Sequence, residues 1–334
     1  MAARDTTLSQ NQLTSLTIRL RALLFRREGV LLIILIVALL LLSTQTDKFL
    51  TRENILNQGR FMTEVGLVAL PMTFIIITGG IDLSVGSMLG LSAVVLGYTW
   101  QNLGFPLELA ILTSLVTATI AGFINGWFIV RVGVPPLIMT LATLALYRGL
   151  AEGIAQARSA RGYPEWFFQL GQRDLLGVPT QLWILIVTAI IAAIILARTP
   201  FGRSLYAIGN NETAARFSGI PVGRNKMLIY AFSGLMAGLA GYIFVSRVST
   251  TRSDMGTGLE LDVIAAVVLG GTSIFGGTGS IPGTIIGVVL IQLLKNGLSL
   301  TGVTGDSTII VMGTVLILSI LVNNFIQRRS GRMS

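Results

Sequence analysis

The chain has 334 residues, 52% of them hydrophobic, and a mean hydropathy of +0.78, which is too apolar for a soluble domain with a water-facing shell. It contains no His and no Cys, which excludes thiol nucleophiles, histidine general bases, disulfides and any His or Cys metal site. The net charge of +9 is no nucleic-acid footprint, because no solvated stretch is long enough to cluster it; in so apolar a chain it reports orientation in a bilayer.

The expected fold is an all-α polytopic membrane protein. Ten apolar runs of spanning length follow in chain order, at about 24–44, 61–78, 83–99, 106–129, 134–155, 181–198, 226–246, 260–275, 281–298 and 307–326. Several runs touch at glycines, so eight or nine spans with re-entrant pieces also fit. The first run, centred on Val30 to Leu42, follows a basic leader of residues 1–28 with no small-residue cleavage site, and reads as a retained signal anchor. Residues 29–326 then form the transmembrane domain and 327–334 a short tail.

Placing the N-terminus in the cytoplasm puts Arg4, Arg19, Arg21, Arg26, Arg27, Arg131, Arg198, Arg203, Arg216, Arg224, Lys226, Arg328, Arg329 and Arg332 inside, 14 of the 24 basic residues. Both termini are basic, which favours an even number of spans and two cytoplasmic ends. The stretch at about 199–226 becomes the largest internal cytoplasmic loop. The longest outer loop, 156–180, carries Tyr163, Pro164 and Trp166, a composition suited to a short segment at headgroup level.

Glycine spacing is the next signal. Gly86 and Gly90, Gly234 and Gly238, and the series Gly279, Gly283 and Gly287 recur every four residues, a pattern that lets helix backbones approach closely. Two glycine-dense links, within "ITGGIDLSVGSMLGLSAVVLG" (Ile77 to Gly97) and "VLGGTSIFGGTGSIPGTIIGVVL" (Val268 to Leu290), resemble each other in composition and are of the kind that marks broken helices beside a transport path. Neither is a phosphate-binding loop, since no Lys followed by Ser or Thr comes after the second Gly. The chain therefore carries no recognisable nucleotide site.

A few polar residues within the apolar runs are candidates for a translocation path or gate. Asp82 either caps the helix that begins near Ser84 or lines a path. Glu64 is open between an interfacial position and a polar lining. Arg148 and Glu152, four apart, are placed to pair along one helix face. Asn125, in "FINGWF", can hydrogen-bond a neighbouring helix or a polar solute. Glu260 and Asp262 open a span at its outer end, where acids either cap the helix start or help to receive a polyhydroxylated ligand or a docking protein.

The segment "TPFGRSLYAIGNNETAARFSGIPVGRNK" resembles the cytoplasmic loop of bacterial ABC import permeases of the ribose, xylose and rhamnose type, and "ITGGIDLSVGS", "PPLIMTLATLALYRG", "ELDVIAAVVLGGTSIFGGTGSIPGT" and "LLKNGLSLTGV" resemble that family's segments in the same order. The resemblance covers about residues 50 to 325. It implies that Glu212, Thr213, Ala214, Ala215 and Gly219 form a short coupling helix seated in a cleft of an ATPase subunit, with Thr213 departing from a strict Glu-Ala-Ala pattern. The implied protein does no chemistry: it pairs with a second permease copy or paralogue, with a cytoplasmic ABC ATPase that binds ATP and Mg, and with a periplasmic or lipid-anchored sugar-binding protein. The implied cargo is a pentose, a rhamnose-like sugar or the sugar-derived signal autoinducer-2. A branched-chain amino acid permease and an ion-coupled secondary transporter are the alternatives.

Overall fold

The computed structural model describes residues 27–44 and 46–303, together with 307, 308, 310, 311, 313, 314 and 317. The leader's first 26 residues, the tail 327–334 and most of the run at 307–326 lie outside the described residues. The helices are α1 (Arg27–Ser43), α2 (Arg52–Ile77), α3 (Val85–Gln101), α4 (Leu107–Trp127, continued by a π-turn over Phe128–Val132), α5 (Pro136–Ala155), the single turn α6 (Gln169–Gln172), α7 (Thr180–Arg198), α8 (Pro200–Asn210), α9 (Glu212–Phe217), α10 (Val222–Val248), α11 (Leu259–Leu269) and α12 (Ile281–Leu300). A two-residue hairpin, β1 (Asp174–Leu175) with β2 (Val178–Pro179), is the whole of the described sheet.

Each of the first nine apolar runs contains a helix. Six described helices, covering 52–77, 107–132, 136–155, 180–198, 222–248 and 281–300, are long and apolar enough to cross a membrane, whereas α1 and α3 have 17 residues each and α11 only 11. The run expected at 260–275 is therefore half helix and half link. Gly271, Gly276 and Gly277 all take positive φ, which stops α11 and leaves residues 270–280 non-helical. Such backbone is tolerated in an apolar interior only when its polar groups are paired. Here the Gly277 N–H donates to the carbonyl of Ile77, and the Ser273 N–H to that of Thr278.

Helix α2 is the axis of the bundle, buried along its apolar length and packed on α7, α10, α11 and α12. Helix α10 lies against α2, α3 and α4. Its crossing with α4 is backbone on backbone: a methyl group on Gly122 would sit 2.2 Å from the Tyr230 carbonyl, and one on Gly234 2.0 Å from that of Ala118. Without water between helices to drive association, close packing of small residues supplies the attraction. The peripheral helices show the converse, with Leu112, Val116 and Ile120 on α4, Ile138 and Leu141 on α5 and Val187, Ile190 and Ile194 on α7 all exposed. So continuous an apolar surface suits lipid and not water.

The links gather at two opposite ends. At one, the segments 78–84, 199–221 and 270–280 meet the start of α5, where Thr140 donates to the Ile81 carbonyl. At the other lie residues 46–51, 102–106, 156–179 and 249–258, where the segment 156–179 is tied down through Thr251 N–H to Ala160 O, Gln101 to Arg161 O and Gln172 to Ser249. Within the second end, Tyr163 stacks between Trp100 and Phe167 with both centroid distances 4.4 Å. Tyr163 and Phe167 are buried and Phe168 is half-buried, so of that segment's aromatic residues Trp166 stands exposed.

Candidate functional site

The first end is built around α8 and α9. Thr199 caps α8 by accepting the Gly202 N–H at 3.2 Å, and Pro200 occupies its first turn. Asn211, extended at φ −160°, ends α8 and caps α9, its side chain accepting the Ala214 N–H at 2.9 Å. At the far end of α9, Gly219 takes φ +82°. The Gly219 N–H then bonds Arg216 O and the Ile220 N–H bonds Ala215 O, both at 3.1 Å. That is the paired closure a glycine stop allows, and Pro221 bars further continuation.

Six residues are too few for an independently stable helix, so tertiary contacts must hold α9. Ala215 is buried with Ile208 and Val222 in a small apolar cluster of its own. Glu212 bonds Arg216 at 3.0 Å within α9 and Lys226 at 2.6 Å on α10. Partial burial pushes the Glu212 carboxyl up, but the hydrogen bonds and charges of Lys226 and Arg216 outweigh it and hold the group below the ordinary carboxylate range. The outward face carries Thr213, Ala214 and Phe217, three and four residues apart and so on one side of the helix. Phe217 is 89% exposed. Sequence reading missed it; the available signal was a large apolar residue in a six-residue helix whose buried side Ala215 already fills.

Helix α8 is the strut behind α9. Its Tyr206 hydroxyl donates to Gly279 O at 2.8 Å, and its Ser204 hydroxyl accepts from Asn225 of α10 at 2.7 Å. Gly209 abuts both glycine-dense links at once: a methyl group there would lie 1.8 Å from Ile77 O and 2.4 Å from Gly277 N. Exposed Arg131, Arg198, Arg203, Arg216 and Arg224 make this end strongly basic.

The four polar candidates for a path separate into three places. Asp82 and Asn125 belong to one fully buried network. Asp82 accepts the Ser84 N–H at 3.0 Å and hydroxyl at 2.6 Å on one oxygen, and the Ser233 hydroxyl at 3.0 Å on the other. Asn125 donates to Ser84 Oγ at 2.8 Å and accepts from Tyr147, whose hydroxyl also reaches Ala121 O at 2.9 Å. Asp82 thus takes the N–H of Ser84, the residue that caps α3, and ties the link 78–84 to α4, α5 and α10.

Arg148 does not pair with Glu152. Its Nη1 donates to the carbonyls of Ser253 and, at 2.9 Å, Met255, and Nη2 lies 3.4 Å from Gly86 O. The guanidinium clamps the 249–258 segment because that irregular backbone presents unpaired carbonyls, a stronger attraction than a solvated carboxylate one turn away. Gly86 and Gly90 face the same segment: methyl groups on them would lie 2.3 Å from Gly256 O and 2.7 Å from Met255 O. Among the other spaced glycines, Gly238 meets Ala118 and Leu115 of α4, while Gly283 and Gly287 meet Gly270 and Ala266 across α11 and α12. Gly279 lies in the link ahead of α12, against Thr272 and Ile77.

Glu64 lies in the wall of a cavity of about 820 Å³ near the second end. It forms a two-pronged bridge with Arg247, Nε to Oε1 at 2.7 Å and Nη2 to Oε2 at 3.0 Å. The guanidinium sits between the Phe61 and Phe244 rings, 4.5 and 4.9 Å from their centroids. Asp262, read as a helix-start acid, bonds Lys295 at 2.5 Å in the same wall. Sequence reading paired none of these, because partners 183 and 33 residues apart leave no local trace. A second cavity, of about 1030 Å³ between α3 and α5, takes in none of the polar candidates.

Comparison with known proteins accords with this architecture. Residues 54–320 match a family described as branched-chain amino acid transport system / permease component. The ribose import permease protein of Bacillus subtilis is 42% identical over 291 residues, covering 86% of this chain and 90% of that protein. The Escherichia coli K12 ribose import permease protein is 38% identical over 302 residues, 88% and 92% of the two chains. The autoinducer 2 import system permease protein of Yersinia enterocolitica is 38% identical over 263 residues, 77% and 79%. No solved structure matches. With four-fifths of its length inside the family and relatives above 30% identity along nearly all of it, the chain belongs to this family of transport-system permease components and is a multi-pass membrane protein.

Proposed function

We propose that this chain is the membrane-spanning subunit of an ATP-driven importer for a monosaccharide, ribose-like or rhamnose-like, or for a sugar-derived signal such as autoinducer-2. The relatives at 36–42% identity are named for ribose and autoinducer 2, which favours a sugar over the branched-chain amino acids in the family's description. The single observation that carries the mechanical part is α9: a six-residue helix, locked by Glu212 and the Gly219 closure, that exposes Phe217 to an extent no monomer needs. We take its face, Thr213, Ala214 and Phe217, as the seat of an ATPase subunit that carries ATP and Mg. Ala215, Glu212 and Gly219 would hold the helix in shape from behind.

In this reading the basic α8–α9 end is cytoplasmic, the N- and C-termini lie on the same side and the chain makes about ten spans, with the second end receiving solute from a binding protein. A second permease copy or paralogue completes the path. Movement of α9 passes through Gly209 to both glycine-dense links, and so to the junctions of α2 with α3 and of α11 with α12. The test is uptake of labelled ribose, rhamnose and autoinducer-2 into membrane vesicles holding this chain and its binding protein, with and without the ATPase. Uptake confined to vesicles with both ATPase and ATP is expected. Equal uptake without the ATPase overturns the reading.

A further inference from the structure

Among the described residues that line the cavity near the second end, four side chains are ionisable, and they pair among themselves. Glu64 is matched by Arg247 and Asp262 by Lys295, so none of these four charges is left to meet a carboxylate or an ammonium group. The amides divide differently. Asn296 is engaged with Asn54 in a reciprocal pair, at 2.9 and 2.8 Å. Gln58 on α2 and Gln292 on α12 line the cavity, are 9% and 7% exposed, and neither side chain has a hydrogen-bond partner among the described residues.

An amide that faces a cavity without a protein partner is free to bond a solute there. Two of them facing one largely apolar cavity present two carbonyl acceptors and two NH₂ donors. A hydroxyl group both donates and accepts, so vicinal hydroxyls satisfy such amides. A zwitterion does not, because its two charges would stay desolvated and unmatched. The apolar lining, which includes Val65, Leu259 and Leu261, supplies surface that suits the C–H faces of a sugar ring. The volume of about 820 Å³ is in the roughly 300–1,000 Å³ range of small-molecule sites.

We propose that this cavity is a binding station for a neutral polyhydroxylated solute, read by the Gln58 and Gln292 amides, with the two salt bridges serving to cancel charge there and so to turn away amino acids. The proposal rests on the importer reading and deepens it by assigning the site and the chemical class it takes.

The experiment uses the complete importer in proteoliposomes, with D-ribose, L-rhamnose and autoinducer-2 offered in parallel with L-leucine. Gln58→Leu, Gln292→Leu and the double variant are compared with Gln181→Leu. Gln181 is a fully buried, equally unpartnered glutamine on α7, away from the cavity. Each cavity variant is expected to lower uptake of the transported sugar roughly ten-fold, and the double variant more. Their melting temperatures in detergent should equal wild type, because the amides removed face the cavity and hold no hydrogen bond among the described residues. Gln181→Leu, which removes a sealed and unpaired amide, should raise the melting temperature and keep wild-type uptake.

Wild-type sugar uptake in both single variants and the double variant overturns the site, as does a loss of uptake that follows a fall in melting temperature. If the wild-type importer moves leucine and none of the three sugars, the functional reading itself fails. That outcome is distinguishable because it appears before any substitution is made.

Discussion

Replacing Gly209 with Ala puts the mechanical role of α8 to the test. The added methyl would lie 1.8 Å from Ile77 O, where ordinary contact begins at 3.4 Å, so the last turn of α8 must withdraw by about 1.6 Å or the Ile77–Gly277 junction must open. Overpacking of this kind costs about 1–3 kcal/mol. If the Gly277 N–H loses its carbonyl at 2.9 Å, a further ~1–3 kcal/mol is lost. Alanine's better helix propensity offsets at most about 1 kcal/mol, leaving a net loss on the order of 1–5 kcal/mol. Helix α8 is short and lies at the periphery, so it and not α2 should give way. The Phe217 face survives, and the ATPase should still co-purify. Transmission to the links is what fails, so ATP-driven uptake should fall at least ten-fold while ATP hydrolysis continues. Wild-type uptake together with an unchanged melting temperature in detergent would refute the reasoning.

Other substitutions address the remaining parts. Phe217→Asp should abolish co-purification of the ATPase without changing membrane insertion, since burying a Phe contributes roughly 1.5–3 kcal/mol and the aspartate adds a desolvation cost; normal co-purification would remove Phe217 from the interface. Glu212→Lys, which places three cations together, should have the same effect through the loss of α9's anchor. The depressed Glu212 carboxyl gives a pH dependence with a definite sign: the bridges to Lys226 and Arg216 contribute fully above the ordinary carboxylate range and are lost as pH falls through the lower folded-state value. Amide exchange across 212–222, corrected for intrinsic pH effects, should therefore quicken only in acid, and in Glu212→Gln it should be fast already at neutral pH. Equal exchange in the two proteins at neutral pH would count against the anchor. Glu64→Gln should destabilise by up to about 3–5 kcal/mol because it strands the mostly buried Arg247. The double variant Glu64→Gln/Arg247→Met should recover much of that loss, and a simple sum of the two single effects in thermal unfolding would contradict the pairing.

Apolar run length and glycine frequency made the membrane class legible from the sequence, because a bilayer imposes a length and a composition on each span that no neighbour needs to explain. The short helix α9 was expected from the resemblance alone, and the structure adds its physical basis: Asn211, Gly219 and Pro221 act on their own backbone. Other features depended on contacts between residues distant in sequence. Nothing local foretold that Arg148 would leave Glu152 for the carbonyls of Ser253 and Met255, that Glu64 would meet Arg247, or that Asp82 would join Asn125 through Ser84. The span at 260–275 was set too long at its C-terminal end, where Gly271, Gly276 and Gly277 take positive φ and the Gly277 N–H is held by the Ile77 carbonyl. Hydropathy and backbone stops act one residue at a time and survive in the sequence. Charge pairing, amide isolation and the facing of two glycine links are properties of pairs, and only the packing of the bundle chose the partners.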